Sequence, residues 1–417
     1  MCIEPAREIR QKKDLLVVSH VDADGLTSAA IICTALERAG LDYKASFFRQ
    51  LDEAALDEIA DCNADLVIFT DLGSGMVQQI CDRGLAAVVV DHHKPAPCQA
   101  RPIAHINPHL VGADGALHLS GSGTSFLLAR ALAASPEGND DLAGLAVVGA
   151  VGDLQDMAHG QLTGINRYIL EIGSQAGAIS FGRDIKLFGR QTRPVYKMLE
   201  YSQDPYLPGL SGNEDACIAF LKEIGIRLGG ERWRRWIDLS QEEKANLVTA
   251  IIRKGLRSGL DNVKLERLIG EVYVLLSEQE GTELRDASEY STLLNATARY
   301  GHAQVGLSVC MYFDAGDSIL DTIVGIVAGM SFQMADRSRP ILAFARTAEG
   351  DLKVSARGTQ DLVRSGLDLA EALSASSREV GGIGGGHNVA AGATIPSGKQ
   401  QKFLELVDCA VGRQLKR

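Results

Sequence analysis

The sequence predicts an α/β chain with an N-terminal parallel sheet, a mainly helical middle segment and a smaller C-terminal α/β part. Between about residues 14 and 110, short apolar runs alternate with helical stretches, which is typical of βαβ units. From about 175 to 290, prolines and glycines separate further helical stretches, and strand-like segments return after about 292. A chain of 417 residues is long for one core. We therefore expect domains at 1–172, 173–290 and 291–417.

Composition favours a globular enzyme in a reducing cytoplasm. The chain is 46% hydrophobic and 23% charged, and its eight cysteines include no CxxC pair. Met1 to Lys13 lacks the apolar core of a signal peptide, and no apolar run reaches the ~18–20 residues of a membrane span. A net charge of −11 argues against a generally basic nucleic-acid coat. Divalent cations bound in a carboxylate-lined cleft could still reverse the local field.

The N-terminal sheet is predicted from apolar runs at 15–18, 66–70 and 88–90, and residues 45–48 are a further strand candidate. Helices are predicted between them, at 28–38, 54–60 and 76–83. From 122 to about 172 the pattern is helical. Within it an apolar segment, 145–153, ends on Asp153, and Gly149 and Gly152 would permit close approach of backbone or ligand.

Three of these strands end in histidine and aspartate. Residues 15–18 lead into His20, Asp22 and Asp24; residues 66–70 lead into Asp71; residues 88–90 lead into Asp91, His92 and His93. Ligands of open α/β sheets bind beyond the carboxyl ends of the strands, so these groups are expected to meet. A lone aspartate after a strand is more often a turn or helix cap. Two adjacent histidines after a buried strand have no obvious packing use, and the whole set indicates a metal site.

The candidate ligands are four carboxylates and two imidazoles, without thiolate: His20, Asp22, Asp24, Asp71, His92 and Asp153. Oxygen with some nitrogen suits Mn²⁺ or Mg²⁺ better than structural zinc. A carboxylate that bridges two ions ~3.5–4 Å apart would create a clamp for phosphoester hydrolysis.

The middle segment is predicted to contain helices at 216–226 and 241–257. Residues 231–236 combine both tryptophans with three arginines. This patch could stack on bases or cap a partner surface. We favour an amphipathic helix that buries its tryptophans beneath arginine side chains.

The C-terminal part is predicted to have strands at 303–309, 340–345 and 352–357. Residues 381–386 contain five glycines, a backbone that can wrap a phosphate with its N–H groups. His387, which follows them, either contacts substrate or completes a tight turn. A glycine-rich stretch alone is weak evidence.

Residues 19–25, Thr70-Asp71, 91–93 and Gly152-Asp153 resemble the four motifs of the DHH phosphoesterase superfamily. Residues 384–392, GGGHNVAAG, look like the GGGHxxAAG motif of its C-terminal partner domain. The middle segment, with its GRQTRP sequence at 189–194, is similar to the archaeal RecJ-like branch, which includes the GINS-associated nuclease. The resemblance implies an N-terminal DHH domain, an inserted helical segment and a C-terminal DHHA-type domain.

The resemblance also implies roles for individual residues. One ion would be held by His20, Asp22 and Asp71, and the other by Asp24, Asp71, His92 and Asp153, with Asp71 bridging. His93 would contact the scissile phosphate and could assist the leaving group, while Asp91 would orient the histidine pair. Substrate phosphates would be held by Arg357 and His387, with backbone donors from Gly384, Gly385 and Gly386.

The function implied is a metal-dependent exonuclease that uses two divalent ions, with Mn²⁺ expected and Mg²⁺ open. It would remove nucleotides from single-stranded DNA or RNA in replication or repair. One alternative is a phosphodiesterase or phosphatase for short oligonucleotides or nucleotide messengers. Another is a replication scaffold that binds GINS through the middle segment, because the superfamily includes a non-nuclease subunit of the eukaryotic replicative helicase. The core motifs show no departure, which disfavours an inactive relative.

Overall fold

The computed structural model describes residues 2–99, 102–135, 137–229, 233–299, 303–312, 339–347 and 350–415. The chain divides into two compact units, residues 1–311 and 312–417, which are described separately below. Among the described residues, no helix has the length and apolarity needed to cross a membrane.

The first unit contains a five-stranded, fully parallel sheet with strand order β2-β1-β3-β4-β5. Its strands are β1 (Leu15–His20), β2 (Tyr43–Phe48), β3 (Leu66–Thr70), β4 (Ala87–Val90) and β5 (Ala104–Ile106). The four predicted strands are confirmed. β5 escaped prediction because it has three residues and lies at the edge of the sheet. β3 and β4 are buried along their whole length, as their continuous apolar sequences predict.

Helices cover both faces of this sheet. They are α1 (Ile3–Ile9), α2 (Ala23–Arg38), α3 (Glu53–Asp61), α4 (Val77–Asp82), α5 (Gly121–Leu132), α6 (Ala143–Gly152) and α7 (Gly164–Gln175). α2, α5 and α6 pack together on one face, while Leu56 of α3 and Ile80 of α4 pack on the other. α2 begins five residues before its predicted start because the Asp22 carboxylate accepts a hydrogen bond from Gly25 N–H and caps the helix.

The middle segment is enclosed by an antiparallel pair, β6 (Ile179–Ile185) and β7 (Ile269–Leu275). Between them lie α8 (Val195–Glu200), α9 (Glu214–Glu223), α10 (Gln241–Arg257) and α11 (Asn262–Glu266). The two helices predicted here are confirmed, α10 to the residue. This segment has its own apolar core, in which Trp236 is almost fully buried.

The amphipathic helix predicted for the tryptophan patch is wrong where the structure describes it. Trp233 and Trp236 lie in irregular chain and a short 3-10 turn, and Glu231 and Arg232 lie outside the described residues. Arg234 forms a two-point ion pair with Glu243, at 2.6 Å from each carboxylate oxygen. The arginine therefore fixes the start of α10 instead of covering a buried tryptophan.

The first unit ends with α12 (Ala287–Arg299) and α13 (Ala303–Tyr312). The strand predicted at 303–309 is wrong, because this segment is the helix α13, whose Leu307 packs into the core beneath the parallel sheet. α12 packs against α2 and α6.

The second unit is a four-stranded antiparallel sheet of order β10-β11-β9-β8 covered by helices. Its elements are β8 (Ile341–Arg346), β9 (Leu352–Arg357), α14 (Gln360–Arg364), α15 (Leu369–Glu379), β10 (Ile383–Gly386), β11 (Ala390–Ile395) and α16 (Gln400–Leu415). The strands predicted at 340–345 and 352–357 are confirmed. The glycine stretch 381–386 forms the edge strand β10 and the turn that precedes it.

Candidate metal centre

The carboxyl ends of three adjacent strands meet at one edge of the parallel sheet. His20 is the last residue of β1, Asp71 follows β3, and residues 91–93 follow β4. Asp71 has a left-handed backbone, with φ of 58°, which turns the chain sharply at the strand end. The structure therefore brings the polar ends together, as their positions in the sequence suggest.

Three groups of side chains among the described residues have ligand atoms close enough to share a metal ion. They are Asp71-His92-His93, His20-Asp22-Asp71 and Asp24-His92-Asp153, each with its ligand atoms within 4.8 Å of one another. All six candidate ligands from the sequence are present in these groups. Asp71 belongs to two of them, and its 3.2 Å contact with His92 Nε2 links it to the third, Asp24-His92-Asp153.

His92 Nε2 lies at the centre of the deeper part of the site. It is 3.2 Å from Asp71 Oδ1, 3.7 Å from Asp24 Oδ2 and 3.8 Å from Asp153 Oδ2. The carboxylates of Asp24 and Asp71 are almost completely buried. Ionised carboxylates buried this close together are unfavourable unless a proton or a cation offsets their charge.

The shallower part of the site is built around His20. Its Nδ1 lies 2.8 Å from Asp22 Oδ2 and 3.8 Å from Asp71 Oδ2, and its Nε2 lies 3.2 Å from the Arg49 carbonyl oxygen. Within the described residues, neither His20 Nδ1 nor Asp71 Oδ1 makes a hydrogen bond of good geometry. Buried polar atoms without such partners are rare. Here both atoms belong to the His20-Asp22-Asp71 group, so the residues present fit a divalent cation.

Electrostatics support the same conclusion. Burial and the neighbouring Asp24 carboxylate raise the pKa of Asp71 well above its ordinary range. Burial lowers the pKa of His92, but the adjacent Asp71 carboxylate, with those of Asp24 and Asp153, outweighs it and raises that pKa to about 11. Burial and Asp24 also raise the pKa of Asp153. Each shift reflects carboxylates held together without enough positive charge.

Asp91 orients the two histidines. Its Oδ1 accepts hydrogen bonds from His92 N–H at 2.7 Å, His93 N–H at 3.1 Å and His93 Nδ1 at 2.8 Å, and its Oδ2 accepts one from Ser74 N–H at 2.8 Å. Although burial raises the pKa of Asp91, these donors hold it well below its ordinary value. The same hydrogen bond raises the pKa of His93, whose side chain is 59% exposed. His93 is thus the exposed member of the Asp71-His92-His93 group.

Asp24 is held by the amino terminus of α5. The N–H groups of Gly121 and Ser122 donate to its two oxygens at 2.7 and 2.9 Å, in the first turn, where helical N–H groups lack partners within the helix.

Two buried amides, Gln155 and Asn166, are also part of the site, and sequence reasoning missed them. Gln155 donates to Asp153 Oδ2 at 2.9 Å, and Asn166 donates to Gln155 at 2.6 Å. A glutamine two residues after the Gly152-Asp153 motif is a weak signal. Nothing in the sequence around Asn166, which lies in α7, indicates that it belongs to the site.

The remaining predicted residues belong to the second unit and lie at one end of its sheet. Arg357, the last residue of β9, is in register with Ala390, and its Nη1 donates to Ser355 Oγ at 3.1 Å. His387 is exposed and closes the turn after β10, where its N–H donates to the Ala390 carbonyl oxygen at 2.8 Å. Of its two interpretations, the turn is observed and substrate contact stays a prediction.

Gly384, Gly385 and Gly386 form β10, on the outer edge of this sheet. Gly386 has φ of 143°, and a Cβ there would come within 2.6 Å of Ala391 Cα. A side chain is excluded at this position, so no side chain covers the backbone there.

Comparison with known proteins identifies three consecutive domains. Residues 14–150 match the N-terminal domain of the DHH family, residues 187–269 match the DHH-CID domain, and residues 306–412 match the DHHA1 domain.

The full chain also has relatives along its whole length. An uncharacterized protein of Methanocaldococcus jannaschii, MJ0831, is 31% identical over 440 residues, which cover 96% of this chain and 94% of that protein. The single-stranded-DNA-specific exonuclease RecJ of Dickeya dadantii is 26% identical over 432 residues, covering 96% of this chain and 67% of RecJ. Among solved structures, CDC45 from Entamoeba histolytica has a similar fold, with a TM-score of 0.52, 11% identity and 98% coverage of both chains.

Proposed function

This chain belongs to the DHH phosphoesterase family, in its RecJ-like branch, and we propose that it is a metal-dependent exonuclease for single-stranded DNA or RNA. The observation that carries this proposal is the meeting of four carboxylates and two imidazoles at one sheet edge, with Asp71 shared between two groups. In this reading, His20, Asp22 and Asp71 hold one divalent ion. Asp24, Asp71, His92 and Asp153 hold the other.

Bound divalent ions would lower the pKa of a water molecule and offset charge on the reacting phosphate. The donor set of oxygen and imidazole nitrogen suits Mn²⁺ or Mg²⁺. The protein contributes a rigid frame for these donors, because Asp24 is fixed by α5 and His92 by the Asp91 carboxylate and the Gly115 carbonyl.

We assign His93 to the scissile phosphate. Its Nδ1 is engaged by Asp91, so a proton on Nε2 points away from that pair and is available to a substrate oxygen. The Asp91 carboxylate stabilises the protonated ring. His93 can therefore donate a hydrogen bond to a phosphate oxygen and pass a proton to the leaving oxygen.

The second unit would bind phosphates of the substrate. Arg357 supplies a guanidinium, which recognises phosphate oxygens in pairs, and His387 is exposed at the same end of the sheet. Gly384, Gly385 and Gly386 offer backbone N–H groups from an edge strand to an approaching anion.

A partner-binding role for the middle segment is a separate proposal, compatible with hydrolysis. This segment has an independent core and keeps Trp233 half exposed against Tyr196, with ring centroids 4.9 Å apart. Such an aromatic pair suits a protein interface. GINS is the partner that the resemblance suggests, and it would place the enzyme in replication or repair.

The deciding experiment is a time course on end-labelled single-stranded DNA, the matching RNA and a dinucleotide, with Mn²⁺. Wild type is compared with Asp71→Ala. Degradation of long strands from one end, lost in the variant, is the expected result and also gives polarity and the DNA or RNA preference.

Two other results would change the assignment. Cleavage of the dinucleotide alone would favour a phosphodiesterase for short oligonucleotides or nucleotide messengers. If no substrate is cleaved, the exonuclease proposal is wrong, and GINS binding by the same purified protein becomes the function to test.

A further inference from the structure

Gln155 is a buried amide with every polar atom used. The residue is 1% exposed. Its Nε2 donates to Asp153 Oδ2 and to the Gly115 carbonyl oxygen, both at 2.9 Å, while its Oε1 accepts from Asn166 Nδ2 at 2.6 Å. A neutral side chain thus fixes one oxygen of a candidate metal ligand without neutralising the charge of that ligand.

The direction of these hydrogen bonds is set by backbone groups. Ser120 N–H can only donate, and it lies 3.3 Å from Asn166 Oδ1, so the amide nitrogen of Asn166 must face Gln155. Gln155 then presents its oxygen to Asn166 and its nitrogen to Asp153. At the other end, the Gly115 carbonyl can only accept, which requires the same orientation.

The Gly115 carbonyl also determines the tautomer of His92. It lies 2.7 Å from His92 Nδ1 and can only accept, so Nδ1 carries the proton and Nε2 faces the carboxylates. Gly115 must remain glycine, because a Cβ there would overlap the His92 carbonyl group. Gln155 donates to the same carbonyl oxygen, so it contacts the group that orients a second candidate ligand, His92.

The same set of hydrogen bonds reaches a third ligand. Ser120 caps α5, and the next two N–H groups of that helix hold Asp24. One continuous series thus runs from Asp24 through α5, Asn166 and Gln155 to Asp153 and His92. Asp24, His92 and Asp153 together form one of the candidate metal groups. The described hydrogen bonds of this series do not include His20 or Asp22.

We propose that Gln155, oriented by Asn166, is a positioning residue for the divalent-cation site formed by Asp24, His92 and Asp153. The inference rests on the proposed function, since it requires that this group binds a cation. Asp153 has the greatest need of support, because its side chain is 35% exposed and follows the last turn of α6. Without Gln155 its carboxylate is free to rotate toward water.

The test is a Mn²⁺ binding isotherm for the full-length, metal-stripped protein. Electron paramagnetic resonance measures the concentration of free Mn²⁺ at each point of the isotherm. Wild type is compared with Gln155→Met, which keeps the length of the side chain without its hydrogen bonds, and with Gln155→Ala. Gln191→Met is the matched control, because Gln191 is also buried in the first unit but its Oε1 accepts from Gly281 N–H, away from the metal groups.

We expect both Gln155 variants to weaken one class of Mn²⁺ site by about 10–100-fold and to leave the other class unchanged. Gln191→Met should keep the Mn²⁺ affinities of both classes of site. Its loss of thermal stability in the metal-free state should be similar to that of Gln155→Met. Unchanged Mn²⁺ binding in Gln155→Met would overturn the inference, and so would equal weakening of both classes. If wild type binds no Mn²⁺, the proposed function itself fails, and the inference fails with it.

Discussion

Asn295 Oδ1 accepts a hydrogen bond from the Ala23 N–H at 3.0 Å, which joins positions 272 residues apart. Ala23 lies between two candidate metal ligands, in the first turn of α2, where N–H groups lack partners within the helix. Asn295 belongs to α12, whose start is tied to the middle segment by hydrogen bonds from Gln191 N–H and Thr192 to Glu289. The middle segment is therefore connected to the metal centre through one helix.

We predict that Asn295→Leu lowers the free energy of unfolding by about 1–3 kcal/mol, because it leaves the Ala23 N–H without a partner in a partly buried position. It should also weaken Mn²⁺ binding, because the segment carrying Asp22 and Asp24 loses its anchor. Urea unfolding of the metal-free protein and a Mn²⁺ isotherm measure the two effects. Asn295→Asp keeps an acceptor oxygen and is the control. Equal behaviour of the two variants would contradict the role of this hydrogen bond.

Asp71→Asn should abolish hydrolysis and yet raise the stability of the metal-free protein. Burial and the Asp24 carboxylate disfavour the ionised form of Asp71 and raise its pKa. A neutral amide at this position removes the free-energy cost of burying that charge. Asparagine also tolerates the left-handed backbone at this position. The measurements are thermal unfolding with chelator and activity with Mn²⁺.

Asp91→Asn is the matched comparison, and its expected effect on stability has the opposite sign. The Asp91 carboxylate accepts four hydrogen bonds and its pKa is held well below the ordinary value, so the ionised form stabilises the fold. A fall in the melting temperature of Asp71→Asn as large as that of Asp91→Asn would show that this account of the two carboxylates is wrong.

The N-terminal part of the fold could be predicted because its signals lie close together in the sequence. β-branched runs determine β3 and β4, and the groups that follow them in sequence must meet at one sheet edge. The strand predicted at 303–309 is wrong for a physical reason. Its apolar residues alternate at Val305, Leu307 and Val309, as in a strand, but packing of Leu307 against the core favours the helix α13.

The supporting residues of the site could not be predicted. Asn166 and Asn295 are single amides, and nothing beside them in the sequence distinguishes them from surface asparagines. Their importance comes from what they touch, Gln155 in one case and the Ala23 N–H in the other. Such contacts are known only once the chain is folded.

Gly149→Ala should be severely destabilising, with a loss of about 3 kcal/mol in the free energy of unfolding and a loss of activity. A Cβ at Gly149 would overlap Ser122 Oγ, Asp24 Oδ1 and Thr27 Oγ1, where α6 crosses the helices that carry and hold Asp24. Gly412→Ala is the control, since Gly412 is also helical but has open space around its Cβ position. There alanine should stabilise by about 0.5–1 kcal/mol. Similar denaturant midpoints for the two variants would contradict this packing.

Glu289 should give the protein a pH-dependent stability near neutrality. Burial and the adjacent Asp286 raise the pKa of this carboxyl to about 7. Between pH ~4.5 and ~7 the folded state keeps a proton that the unfolded state releases, so the free energy of unfolding falls as pH rises, by up to about 1.4 kcal/mol per unit. Glu289→Gln carries no charge and should lack this slope.

Urea unfolding at pH 5, 6, 7 and 8, with chelator present, tests this prediction. Other ionisable groups also make the stability of both proteins depend on pH, so the informative quantity is the difference in the free energy of unfolding between wild type and Glu289→Gln at each pH. The free energy of unfolding of Glu289→Gln, relative to that of wild type, should increase as pH rises to 7 and then level off. Above pH 7 the Glu289 carboxyl of wild type has lost its proton in both the folded and the unfolded state. Glu266→Gln, at an exposed position on α11, should show no such trend. A constant difference across the four pH values would mean that Glu289 is ionised throughout, stabilised by its bonds from Gln191 and Thr192.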